Sequence, residues 1–304
     1  MPFPHPEILS DREFRLSHDD QQALVHARGG ALRSYQVAGR HLVDGWADRE
    51  VPPAFNGAVL APWPNRIRDG RWTSDSGPQQ LAVNELERRT ALHGLVMWAD
   101  WTLVRHVEQE VQLECRLPSQ PGYPFQLQLG VSWQLTEAGL RCTLSAENVG
   151  IGTAPFGVAT HPFFGFEDRR VDELTLSLPA ARYQAVDERL LPVELRPLAE
   201  PPGALRGVAL DTAFTEVTPD PDGLRRARLA SDLGEISVWA DAAFGWWQVY
   251  TSDMFDRSDD RYRRSVAIEA MTCGPDAFNT GQDLIRLAPG ERWAASWGVQ
   301  ASLA

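Results

Sequence analysis

Four short islands carry side chains able to move a proton or grip a polar solute. The stretch GVATHPFFGF (157–166) sets one imidazole, His161, between a small-residue run and three phenylalanines, with Pro162 stiffening the backbone just after it. VAIEAM (266–271) interrupts an apolar, strand-like run with Glu269. A carboxylate there is costly to bury unpaired, so either alternation turns it outward or it is placed to work. His161 likewise reads either as a polar strand end or as a proton-transfer group in an aromatic-lined cleft. Free carboxyl and imidazole groups titrate near about 4.3 and about 6.5, so near neutrality one is deprotonated and the other protonatable. That is the makeup of a general base and a general acid, each contributing typically 10²- to 10⁴-fold. In GAVLAPWPNRIRDGRW (57–72), Pro62 and Pro64 bracket Trp63, and Asn65 and Arg66 follow with several hydrogen-bonding groups. In NELERRTALHGLVMW (84–98), His93 precedes Gly94; alone it reads as a structural histidine.

The elements that must position these groups are strands. Apolar residues alternate with period two in VQLECRL (111–117), LQLGVSWQL (127–135) and LRCTLSA (140–146), and similarly in LTLSL (174–178) and ISVWA (236–240). Connections such as TEAGL, ENVGIG and TPDPDG carry turn residues. VNELERR and SDDRYRR predict short helices or turns, and 185–209 predicts a long surface excursion. The 22 prolines and 24 glycines are spread along the chain, with no repeat or linker. These features predict an all-β fold, a large antiparallel β-sandwich forming one domain over 1–304.

Composition removes whole classes of function. The net charge of −12 opposes nucleic-acid binding and association with an anionic membrane. All 29 basic side chains are arginine, which excludes lysine Schiff bases and the lysine of a phosphate-binding P-loop. Three dispersed cysteines make neither a zinc motif nor a disulfide framework, and Cys115 and Cys142 fall in alternating runs that predict buried thiols. The first ten residues lack the pattern of a signal peptide, and no apolar run reaches membrane-helix length, so the expected location is the cytoplasm.

Taken together and in order, the islands resemble the aldose 1-epimerase (mutarotase) family. The resemblance rests on Gly57-Ala58, Asn65-Arg66-Ile67 and Gly70-Arg71-Trp72; on Asn84 with Leu92-His93-Gly94; on His161-Pro162-Phe163-Phe164; on Leu210-Asp211-Thr212-Ala213-Phe214; and on Glu269 with Asn279. It implies a galactose mutarotase-like supersandwich that interconverts the α and β anomers of a free hexose without metal or cofactor. Glu269 is then the base and His161 the acid, at opposite edges of one pyranose. Asn65, Arg66, His93 and Asp211 bind the sugar, and Trp63, Phe163 and either Trp246 or Trp247 offer flat faces to its C–H groups. The partner is a small monosaccharide and the chain a monomer or homodimer. Two departures, Ala61-Pro62 in place of Gly-Arg and Leu95-Val96-Met97-Trp98 after His93-Gly94, fall in loops expected to face the sugar. Three alternatives stand beside this reading: a non-catalytic carbohydrate-binding protein; a retaining glycosidase using Asp211 with Glu269, which needs two carboxylates about 5 Å apart; and a hexose-6-phosphate epimerase clamping phosphate with Arg66, Arg68 and Arg71.

Overall fold

The alternating runs form the long strands of an eight-stranded antiparallel sheet. In spatial order these are Thr102–Val107, Glu110–Leu117, Leu127–Thr136, Gly139–Asn148, Arg292–Leu303, Gly234–Ala240, Arg225–Ser231 and Thr175–Ser177. The coordinates are a computed structural model that describes residues 12–46, 51–253 and 255–304. In Leu127–Thr136 every second side chain is buried, as its period-two pattern predicts. Cys115, Cys142 and Cys273 are all free and buried.

A six-stranded antiparallel sheet lies opposite, in the order Phe163–Phe164, Val266–Met271, Trp246–Tyr250, Asp211–Val217, Ala180–Val186 and Pro192–Pro197. Trp133, Leu144 and Trp297 of the first sheet share one buried cluster with Phe214, Trp247, Val249 and Ile268 of the second. That shared core is what makes the two sheets a sandwich. A four-stranded sheet, Glu13–His18 to Arg40–His41, completes the main body. No helix among the described residues is long and apolar enough to cross a membrane.

VNELERR and SDDRYRR are turns, one of the two forms expected of them. One sequence expectation changes. The surface excursion at 185–209 contains the edge strand Pro192–Pro197, paired with Ala180–Val186. A proline at each end removes an N–H from the ladder, and such a strand is tolerated at a sheet edge. Its exposure and missing alternation hide it from a periodicity search.

Candidate active site

Neighbouring strands of the six-stranded sheet carry three of the polar groups. Gln248 lies directly across from Glu269, and Asp211 starts the next strand, across from Tyr250. Alternation sends Trp247, Val249, Ile268 and Ala270 into the sandwich core. It sends Gln248, Tyr250 and Glu269 to the other face, where loops cover them and leave Glu269 only 1% exposed. Glu269 therefore leaves the sandwich core by alternation, yet stays buried.

His161 is fixed by backbone pairing on both sides. Its N–H donates to the Ala58 carbonyl and its carbonyl accepts from Gly57 N–H. Gly57 has φ +73°, and a Cβ there would lie 2.0 Å from the Leu32 carbonyl oxygen, so only glycine fits. Pro162 accepts from Ile268 N–H, and Phe163 pairs with Ala267. This brings His161 Nε2 to 3.4 Å from Glu269 Oε1. The two groups stand side by side and not at opposite edges of a ring.

His93 sits on the other flank, its ring perpendicular to that of His161 at 5.2 Å. The side chain of Asn84 clamps Leu92, accepting from its N–H at 2.6 Å and donating to its carbonyl at 2.9 Å. His93 has φ +62°, and Gly94 presses against the Ala61 carbonyl, 2.2 Å from where a Cβ would stand. His93 Nδ1 accepts from Asn65 N–H, which puts the proton of the neutral ring on Nε2 as a donor.

Arg66 donates from Nε and Nη2 to both oxygens of Glu85, at 2.9 and 3.0 Å, and lies 3.8 Å from Asp211. Gln248 links the remaining groups, donating from Nε2 to Asp211 and accepting from Asn65 Nδ2 at 3.2 Å. These residues line a cavity of about 210 Å³ together with Phe55, Phe163, Tyr250 and Phe255. Phe55 lies over the His93 ring at 4.9 Å and stacks on the half-exposed Trp98 at 5.5 Å.

Burial sets the protonation states. It lowers the pKa of His161 to about 4 and pushes that of His93 well below the usual imidazole value; Arg66 acts in the same direction on both, and His161 on His93. It raises Glu269 well above the usual carboxyl range, an effect reinforced by Asp211 and opposed by Arg66. Burial also raises Asp211. Burial works against the Arg66 charge too, but its hydrogen bonds to Glu85 and the nearby Asp211 and Glu269 hold it protonated. The expectation from free side chains is thereby reversed. The His161–Glu269 pair favours a neutral form with its one proton on the carboxyl. Glu269 Oε2 and His161 Nδ1 are buried without a partner.

His161, Glu269, Asn65, Arg66, His93 and Asp211 thus share one cavity, with Phe163 on its wall. Trp63 does not line it. It is 1% exposed, donates from its indole to the Ala91 carbonyl and packs on Phe278 at 5.4 Å. Trp246 and Trp247 are fully buried away from it. Ala61-Pro62 and residues 95–98 do not line it either; of the substituted loop, only Trp98 reaches it, through Phe55. Of the three arginines proposed for a phosphate clamp, only Arg66 is present; Arg68 faces Asp276 and Asp187, and Arg71 donates to Gln80. Sequence reasoning missed Gln248 and Glu85. The signal for Gln248 was the same as for Glu269: one polar residue inside an apolar strand, WWQVY. Among the described residues no cluster of three or more His, Cys, Asp or Glu side chains could hold a metal ion.

A family model described as aldose 1-epimerase matches residues 12–300. The chain is 32% identical over 296 residues to the uncharacterized protein YihR of Escherichia coli K12, covering 93% of this chain and 91% of that one. The structure resembles that of a GalM/aldose epimerase homologue from C. elegans, with a TM-score of 0.85 at 17% identity, covering 96% of this chain and 99% of that one. It also resembles a galactose 1-epimerase from Lactobacillus acidophilus NCFM, with a TM-score of 0.82 at 19% identity, covering 99% and 98%.

Proposed function

Because the chain belongs to the aldose 1-epimerase family, we propose that it interconverts the α and β anomers of a free hexose, with Glu269 and His161 as the proton-transfer pair. The observation that carries this reading is the 3.4 Å approach of His161 Nε2 to Glu269 Oε1 in a buried cavity. The second carboxyl oxygen there is unpartnered.

The pair holds one proton, which is the number the reaction needs. Transfer from Glu269 to His161 turns the neutral pair into carboxylate and imidazolium. The Glu269 carboxylate then takes the O1 proton. The O1–H electron pair becomes the second C1–O1 bond, the C1–O5 pair moves to O5, and His161 protonates O5. The product is the open aldehyde, facing a protonated Glu269 and a neutral His161, the form that burial favours. Rotation about C1–C2 and reversal of these steps close the ring on its other face. Arg66 holds negative charge near Glu269 and Asp211, and neutral His93 offers an Nε2 donor to a ring or hydroxyl oxygen.

The arginine arrangement gives no support to a hexose-6-phosphate substrate: Arg66 is already engaged by Glu85 and Asp211, and Arg68 and Arg71 face elsewhere. A non-catalytic sugar binder has no use for a buried acid–base pair in contact. The test is the relaxation of optical rotation of fresh α-glucose and α-galactose. Acceleration proportional to protein concentration is expected; a rate equal to that of buffer for every common hexose would leave only the binding role.

A further inference from the structure

Neither the family resemblance nor the ring-opening steps assign a role to Glu85, yet it lines the cavity with its side chain only 12% exposed. Four donors converge on its carboxylate. Arg66 donates from Nε and Nη2 at 2.9 and 3.0 Å, Thr90 from its hydroxyl at 2.6 Å and Arg88 from Nη1 at 3.1 Å. The backbone of Glu85 is fixed as well: its N–H donates to the Thr90 carbonyl at 3.2 Å, and its carbonyl accepts from Thr90 N–H at 3.1 Å. Thr90 opens the short strand Thr90–Leu92, in which Leu92 lies across from Arg66. One strand therefore holds the backbones of both partners. Burial alone would raise the Glu85 pKa, but these donors and the charges of Arg66 and Arg88 outweigh it and keep the carboxyl ionised.

A bidentate grip fixes a guanidinium in its plane as well as in its position. Glu85 takes the edge of Arg66 formed by Nε and Nη2. Among the described residues Nη1 has no hydrogen-bond partner, and it is not fully buried. The Arg66 side chain is 7% exposed and lines the cavity, so Nη1 is a fixed donor open to an oxygen of a bound ligand. The same grip sets a distance. Nη2 stays 3.8 Å from Asp211, beyond hydrogen-bond reach, while Gln248 donates to Asp211 instead.

Besides Glu85, the acids that act on the Arg66 charge are Asp211 and Glu269, and the other titratable groups that feel it are His93 and His161. Without Glu85, the carboxylates left to attract Arg66 are Asp211 and Glu269. A guanidinium released toward them loses the placement of Nη1. It also sets more of its charge against Glu269, which then gives up its proton more readily.

We propose, building on the epimerase reading, that Glu85 is a positioning residue that acts through Arg66, fixing the guanidinium so that Nη1 faces the substrate and keeping it off Asp211 and Glu269. The test is the initial rate of optical-rotation relaxation of fresh α-glucose and α-galactose, measured against sugar concentration and pH. Glu85→Gln keeps the size of the side chain but loses the charge and one acceptor oxygen. KM is expected to rise at least about fivefold, with kcat at the variant's own pH optimum within about threefold of wild type. Both limbs of the kcat/KM profile should move to lower pH by about 0.5 or more, because the cation left unbalanced favours ionised carboxyls and neutral imidazoles. A role confined to stability would instead reduce the active fraction, lowering the apparent kcat with KM and both limbs unchanged. Glu85→Asp keeps the charge but shortens the arm by one methylene, and KM should rise at least about threefold as the grip on two nitrogens is lost; either variant that folds decides the matter. Glu85→Gln made in an Arg66→Gln background should raise KM no further, since the two residues act as one unit. The proposal is overturned if KM of either folded variant equals that of wild type, if the limbs stay in place or move upward in Glu85→Gln, or if the rise in KM adds in full to that of Arg66→Gln. Absence of catalysed exchange by the unaltered protein with both sugars would instead remove the epimerase reading, and this proposal with it.

Discussion

At the scale of single residues, the protonation of Glu269 is decided by its neighbours and not by its type. Burial and the Asp211 charge both favour the protonated carboxyl, while Arg66 opposes them. Burial favours neutral His161 as well. Replacing Glu269 by Gln, or His161 by Asn, should lower kcat by at least about 100-fold while the protein stays folded, since each removes one of two positioned proton transfers. Near-normal turnover in either variant, measured by polarimetry on a protein with unchanged circular dichroism, removes that residue from the mechanism. The raised carboxyl also has a stability consequence of definite sign. Below the usual carboxyl pKa, Glu269 is protonated both folded and unfolded, and burial carries no charge penalty. As pH rises above that value the unfolded chain gives up the proton more readily than the folded one, so wild type loses stability until the folded pKa is passed. Glu269→Gln should therefore melt above wild type at pH 8, with the gap closing toward pH 4. A constant gap across that range would show that Glu269 does not bind its proton more tightly in the folded protein.

At the scale of elements, the loop from 84 to 94 shows how the fold holds a side chain of the cavity in place. Asn84 takes both backbone hydrogen-bonding groups of Leu92, and Gly94 occupies a spot that a methyl group cannot share with Ala61. Between these two fixed points His93 is held in the left-handed region, and Asn65 takes the same conformation on the opposing loop. Asn84→Ala should cost about 1–3 kcal/mol of stability, because it removes two hydrogen bonds. It should also lower kcat/KM by roughly tenfold or more, since small displacements of positioned groups are costly in rate. Urea unfolding and anomer relaxation on the same preparation separate the two effects. Full activity at reduced stability would mean that the clamp supports the loop but not the position of His93. Trp63 sets the contrast. Trp63→Phe should reduce stability through its core contacts and lost hydrogen bond to Ala91, with KM within about twofold of wild type as expected for a residue outside the cavity.

At the scale of the whole molecule, a net charge of −12 surrounds a cavity in which Arg66 is engaged by Glu85 and Asp211. Such a field has little effect on the approach of a neutral sugar but repels an anion, and salt screens it. For glucose, kcat/KM should stay within about twofold between 20 mM and 500 mM salt. A strong dependence on salt would point to a charged substrate. The six-stranded sheet explains why so few residues define the site. The adjacent strands Asp211–Val217, Trp246–Tyr250 and Val266–Met271 each contribute one or two polar side chains to the face away from the core, and His161 joins them from just before Phe163–Phe164, the strand paired with Val266–Met271.

Local chemistry in the sequence indicated the long alternating strands, the all-β sandwich and the polar candidates His161, Glu269, Asn65 and Arg66, while His93 and Asp211 came through the resemblance to a known family. Period-two burial, turn residues and a polar group inside an apolar run are all short-range properties of a chain. The edge strand Pro192–Pro197 escaped because it lies exposed and breaks the alternation. Tertiary structure alone decided that His161 and Glu269 lie side by side, that Gln248 ties Asp211 to Asn65, and that Trp63 belongs to the core. The physical reason is that proton affinity and cavity walls depend on which distant segments come to exclude water. A residue's sequence neighbours state its type, but its partners, and hence its charge state, are chosen by the packing of strands more than one hundred residues apart.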